Sequence, residues 1–215
     1  KNNIEIAKLL IESGAKINSE KLADKTSLVI AAKNNSYDMV KLLLESGADP
    51  NSRCYDHALI EAINNNSKEI VLELIKYGAD LEREYRGWAV PFTFACWKSP
   101  EIARLLIKLG VDIHILKPKG ENGLSYALVN KNYELFDELL SLGVDINKQD
   151  KTGDSMLCAV SYNENKEKIK FLISRGIEID IKNNEGETAI TIAVKKSNIE
   201  NIKLLIDGGA DVNNV

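Results

Sequence analysis

Residues 186–213, GETAITIAVKKSNIENIKLLIDGGADVN, place two short apolar segments in sequence, with a two-lysine break between them and a double glycine at the end. In the second segment Ile199, Ile202, Leu205 and Ile206 fall on one helical face and Glu200 and Lys203 on the other, which predicts an amphipathic helix. Gly209 then has a mechanical role: it ends that helix in the left-handed conformation, which glycine adopts without Cβ strain. The first segment predicts a shorter helix that opens on Thr188 as its N-cap.

The same arrangement recurs along the chain. LLIESGAKIN, LLLESGADPN, LIKYGADLE, LLIKLGVDIH, LLSLGVDIN, FLISRGIEID and LLIDGGADVN align on Gly14, Gly47, Gly78, Gly110, Gly143, Gly176 and Gly209, spaced 31 to 33 residues apart. A short apolar segment lies one helix length before each of the last six, from Thr26, His57, Val90, Asn122, Ser155 and Thr188, and four of these six openers are good N-caps. Polar stretches ending in glycine, such as VDINKQDKTG and IEIDIKNNEG, are too short for more helices and suit a tight hairpin-like turn. Each unit is therefore turn, helix, helix.

With Thr188, Ala189, Ile190, Thr191 and Ala193 standing where the family has T-P-L-H-x-A, the chain resembles the ankyrin repeat family over essentially its whole length. The resemblance implies an all-α fold, a solenoid of stacked antiparallel helix pairs with hairpin-like turns, about six full repeats plus a partial N-terminal one. The expected boundaries are a partial repeat at 1–20 and repeats at about 21–52, 53–84, 85–116, 117–149, 150–182 and 183–215, forming one domain, 1–215, of a longer protein. Stacking explains the architecture physically, because a helix pair of this size cannot bury its apolar face alone. Departures are visible too: only Pro91 keeps the family proline, no first helix keeps the histidine, and the turn between Gly47 and His57 is two residues short, a stunted finger.

Both ends look open. Ile4, Ile6, Ala7 and Leu10 belong to a second helix that lacks its partner, and GGADVNNV shows no polar cap, so the protein is expected to continue at one or both ends.

A net charge of −4 with interleaved acids and bases argues against phosphate-neutralising nucleic-acid binding. There is no apolar run of about 18 residues and no signal peptide in these residues, so membrane partners are not expected. Three widely spaced cysteines, Cys54, Cys96 and Cys158, argue for a reducing compartment. The expected location is cytoplasmic, or inside a host cell if the chain is part of a delivered effector, and the expected state is a monomer.

Motifs that could carry chemistry have plainer alternatives. Cys54 and His57 form Cys-x-x-His, but a closed zinc site needs four ligands and no second pair exists, so no metal is expected and His57 simply opens a helix. Cys96 sits where the family has a small alanine and Cys158 where it has the histidine; both read as small buried residues. Neither His57 nor His114 lies in a repeat position near them, so no catalytic set is expected, and LKPKGENG is a repeat turn rather than a phosphate loop, so no cofactor is expected. Asp49, Asp80, Asp112, Asp145 and Asp211 recur in phase and should serve their own turns.

The resemblance also implies where a partner would dock: the turn tips, and the two residues after the first helix's paired alanines. Those pairs here are Lys33–Asn34, Asn64–Asn65, Trp97–Lys98, Val129–Asn130, Tyr162–Asn163 and Lys195–Lys196. The third tip adds Tyr85, Arg86 and Trp88, residue types common at binding hot spots. That repeat is also irregular, with one residue missing between its helices and Gly87 out of phase with Gly120, Gly153 and Gly186. Phe92 is expected in the core and Ser99-Pro100 at a helix start, whereas Trp88 and Trp97 could face a partner or fill space in their own repeat. The expected partner-binding residues are Tyr85, Arg86, Trp88, Trp97, Lys98, Asn130, Tyr162 and Asn163. The expected function is non-enzymatic: an interaction module or scaffold that docks another protein on its concave face. The alternative is a targeting or substrate-recruiting domain of a larger enzyme or host-directed effector.

Overall fold

A seven-residue helix is unstable alone in water, because nucleation costs more than so few hydrogen bonds offset. The short helices of this chain persist through capping and stacking. The computed structural model describes residues 4–18, 26–52, 57–85, 90–117 and 120–214. They divide into two compact units, Lys1–Lys117 and Pro118–Val215.

In the first unit α1 (Ile4–Glu12) is followed by three pairs: α2 (Ser27–Lys33) with α3 (Tyr37–Glu45), α4 (Ala58–Asn64) with α5 (Lys68–Lys76), and α6 (Pro91–Lys98) with α7 (Pro100–Lys108). The first helices α2, α4 and α6 pack in a row, and α1, α3 and α5 form a second row behind them. Ala31, Ala62 and Ala95 stand at one register position of that front row, all buried, and their small side chains let neighbouring helices approach closely. Leu43, Leu74 and Leu106 occupy one position of the second helices and are sealed, whereas Leu10 at the same position of α1 is 56% exposed, as expected for a helix whose first-helix partner is not among the described residues.

The second unit holds α8 (Gly123–Val129) with α9 (Tyr133–Ser141), α10 (Met156–Ser161) with α11 (Lys166–Ser174), and α12 (Ala189–Lys195) with α13 (Ile199–Asp207), then a short 3-10 turn, Val212–Asn214. Phe171 of α11 bridges to α9, with its ring 4.2 Å from that of Tyr133 and 5.0 Å from that of Phe136.

The predicted caps form. Thr26, Asn122, Ser155 and Thr188 each accept a hydrogen bond from the backbone N–H three residues on, and all seven helix-ending glycines have φ between 76° and 102°. The in-phase aspartates bind their own turns: Asp49, Asp112 and Asp145 each accept from the N–H two residues later at 2.8 Å. An additional ladder joins one repeat to the next. Asn18 accepts from the Asp49 N–H at 2.9 Å while its amide donates to the Gly47 carbonyl, and Asn51 does the same toward Asp80 and Gly78. The all-α class of stacked helix pairs stands as predicted; the shortened second turn falls on 53–56, outside the described residues.

Candidate functional site

The ends of the first helices are where the sequence places partner contacts. In the first unit, Asn35 and Asn66 carry the chain from a first to a second helix in the left-handed conformation, at φ 54° and 55°. Their side chains accept from Ser67 and Ser99 of the following repeat, and Asn65 donates to the Ala32 and Lys33 carbonyls at 3.0 Å. These asparagines are stitching between repeats. The sequence signal for them was available, since asparagine tolerates the left-handed region and recurs here in phase.

The α6–α7 connection breaks that rule. With one residue fewer, Ser99 both ends α6 and caps α7, accepting from the Ile102 N–H at 3.2 Å, and Pro100 takes the first helical position. Trp97 sits half-buried at this break. Its ring meets Phe94 edge-on at 5.8 Å, and the Lys98 ammonium lies 3.8 Å from its centroid. Phe92 is fully buried as expected, and Phe94 joins it. Trp97 therefore touches the core at Phe94 and keeps part of its surface open.

Tyr85 is a correction. Expected at a turn tip, it is 2% exposed: its ring stacks 3.9 Å from that of His57 and its hydroxyl donates to the Asp80 carbonyl at 3.1 Å. Burial, with Asp80 nearby, pushes its phenol up to about 12. The reason is register. Tyr85 lies seven residues after its helix-ending glycine, the position held by Asp150 and Asn183, which anchor their turns by accepting backbone N–H bonds from Thr152 and Asp154, and from Glu185 and Glu187. This position ties the finger down. Arg86 and Trp88 lie outside the described residues.

In the second unit Lys131 and Ser197 make the left-handed hinge, at φ 57° and 55°, but Glu164 in the same phase does not. The break again carries an aromatic. Tyr162, 36% exposed, follows the end of α10, with Lys196 Nζ 5.8 Å from its ring. Its hydroxyl is pushed up to about 12 by burial and by the carboxylates of Asp154, to which it is hydrogen-bonded, and Glu187. Asn163 is exposed while its carbonyl accepts from the Asn201 amide at 2.8 Å, and Asn130 is exposed at the end of α8. The structure thus groups Trp97 with Lys98 in one unit, and Tyr162 with Asn163 in the other, where Asn130 lies one repeat earlier.

Cys54 lies outside the described residues, and among those described no group of three or more His, Cys, Asp or Glu could hold a metal ion. Cys96 and Cys158 are buried, and burial pushes both thiols up, away from nucleophilic thiolate. His57 opens α4 without capping it, and its Nδ1 is buried without a partner. Burial and the Arg83 charge lower its pKa to about 4. The unfolded imidazole takes its proton near pH 6.5 and the folded one only near 4, so this stability is present above 6.5 and lost as pH falls across that window. The loss is expected to reach about 2–3 kcal/mol, and urea midpoints of a His57→Gln chain, followed by circular dichroism, should lack this part of the pH dependence.

Comparison with known proteins closes the assignment. The family model for ankyrin repeats (3 copies) matches residues 1–54 and 124–215. The unmatched stretch between them contains the aromatic repeat, although α4 to α7 keep the same pairing there. Protein phosphatase 1 regulatory subunit 27 of Homo sapiens is 39% identical over 79 residues, 36% of this chain and 49% of that protein. Its Mus musculus counterpart is 47% identical over 57 residues, 26% and 36% of the two chains. The match thus spans about half or less of these curated relatives. Among solved structures, the human ASB11 ankyrin repeat domain aligns with a TM-score of 0.76 at 25% identity, covering 95% of this chain and 92% of that one. A chain from the complex of the Bdellovibrio bacteriovorus predatory endopeptidase Bd0816 with immunity protein Bd3460 aligns with a TM-score of 0.73 at 27% identity, covering 86% and 98%.

Proposed function

The chain belongs to the ankyrin repeat family, whose repeats are protein-interaction modules, and we propose that it recognises a partner protein through the ends of its first helices without catalysing a reaction itself. The observation that carries this reading is the coincidence of exposed aromatic surface with broken turn geometry. Trp97 and Tyr162 stand at the two interhelix connections that abandon the left-handed hinge, and both keep surface open to solvent. Large aromatics bury much area at small rotamer cost, and Lys98 and Lys196 beside them supply charge at the rim. The regulatory-subunit relatives support a partner that is an enzyme, with this chain directing it. The test is the affinity of a captured, purified partner for chains altered at Trp97 or Tyr162. Loss at these positions, with none on changing exposed Leu72 of α5, supports the reading; the reverse pattern overturns it.

A further inference from the structure

Within the unit Pro118–Val215 a groove of about 180 Å³ runs between α8 and α10. Its larger apolar lining residues are Leu128, Val129, Met156 and Val160; three of these are buried, but Val129 is 57% exposed. At this size it is smaller than pockets for drug-sized ligands, roughly 300–1,000 Å³, and takes one or two side chains. Its charged lining is unbalanced, with Glu121, Asp150 and Asp154 against Lys148. Asp150 Oδ1 is occupied by its own turn, and Asp154 accepts from the Asn183 amide at 2.9 Å and is bonded to Tyr162. Glu121 Oε2 is different: it is sealed from solvent and has no donor among the described residues. Two lysines of the next repeat are already engaged, Lys195 with Glu187 and Lys196 over the Tyr162 ring.

A buried carboxylate oxygen without a donor is costly, and a cation brought by a ligand offsets that cost with a charge-assisted hydrogen bond. We propose that this groove takes an extended segment of the partner protein, in which an apolar side chain lies against Val129 and Met156 and an adjacent Lys or Arg donates to Glu121. The proposal rests on the reading of the chain as a protein-binding module, and it names the chemistry the partner must present. Tyr162 borders the same site through Asp154, so the groove continues the contact surface already described.

The test titrates the full 215-residue chain with blocked glycine-serine peptides carrying Leu-Arg, Leu-Glu or Ala-Arg at the centre, followed by amide NMR. The Leu-Arg peptide is expected to shift the amides of Ser125, Val129 and Ala159 and to bind about tenfold more tightly than Leu-Glu, with Ala-Arg weaker than Leu-Arg. Glu121→Gln should remove most of the preference for Arg over Glu. Val129→Lys, a change at an exposed position that leaves folding intact, should abolish Leu-Arg binding. Equal binding of Leu-Arg and Leu-Glu, shifts confined to other surfaces, or a preference unchanged by Glu121→Gln overturns the proposal. A purified partner that loses affinity with Tyr162→Ala but not with Glu121→Gln also overturns it, while leaving the wider docking reading intact; a partner indifferent to Glu121→Gln, Tyr162→Ala and Trp97→Ala removes that reading as well.

Discussion

Tyr85→Ala is expected to lower the stability of the chain by about 3–5 kcal/mol, the range for truncating a large, fully packed aromatic. The ring is 2% exposed and stacked on His57, and its hydroxyl is bonded to the Asp80 carbonyl, so alanine leaves both a cavity and an unsatisfied acceptor. Tyr85→Phe keeps the ring and loses only the hydrogen bond, a cost of about 1 kcal/mol. Urea unfolding followed by helical circular dichroism separates the two. A Tyr85→Ala chain with an unshifted midpoint would show that the side chain does not hold its turn, and would restore it as a candidate contact.

The second large effect is expected at Gly153. Its φ is +79°, and a Cβ placed there would stand 2.6 Å from the Asn184 backbone N, which donates to the Thr152 carbonyl across the repeat boundary. Alanine therefore meets left-handed strain, about 1–2 kcal/mol, and a backbone collision, about 1–3 kcal/mol, for a total near 3 kcal/mol. Gly176 supplies the control, with φ +76° and nothing within 4 Å of the added Cβ. Gly176→Ala carries only the strain. Melting transitions of the two variants compared with the parent chain distinguish the terms, and equal losses would mean that the turn-to-turn contact at Asn184 contributes nothing.

These two sites mark where the sequence was legible and where it was not. The helix-ending glycines, the Thr, Ser and Asn caps and the amphipathic faces each have a local cause, so the repeat could be read from spacing alone. Phe92, Cys96 and Cys158 were legible for the same reason, because a register position in a repeat determines burial. Tyr85 was misplaced because its residue type suggested a hot spot, whereas counting seven residues from Gly78, as for Asp150 from Gly143 and Asn183 from Gly176, points to a turn anchor. The irregular turn at Ser99 was visible as a missing residue. The one at Glu164 was not, since the repeat there has its full length and only the backbone conformation departs. The Glu121 groove also escaped the sequence, as it depends on α8 and α10 coming together from separate repeats.

The central claim is that partner recognition runs through the ends of the first helices, and Trp97 tests it most directly because it stands at a broken connection and keeps part of its surface open. Titration calorimetry of a purified partner against the parent and Trp97→Ala chains is expected to show a loss of about 2 kcal/mol or more, roughly thirtyfold in Kd, with helicity unchanged. Unchanged affinity together with a collapsed melting transition would contradict the claim and return Trp97 to the core.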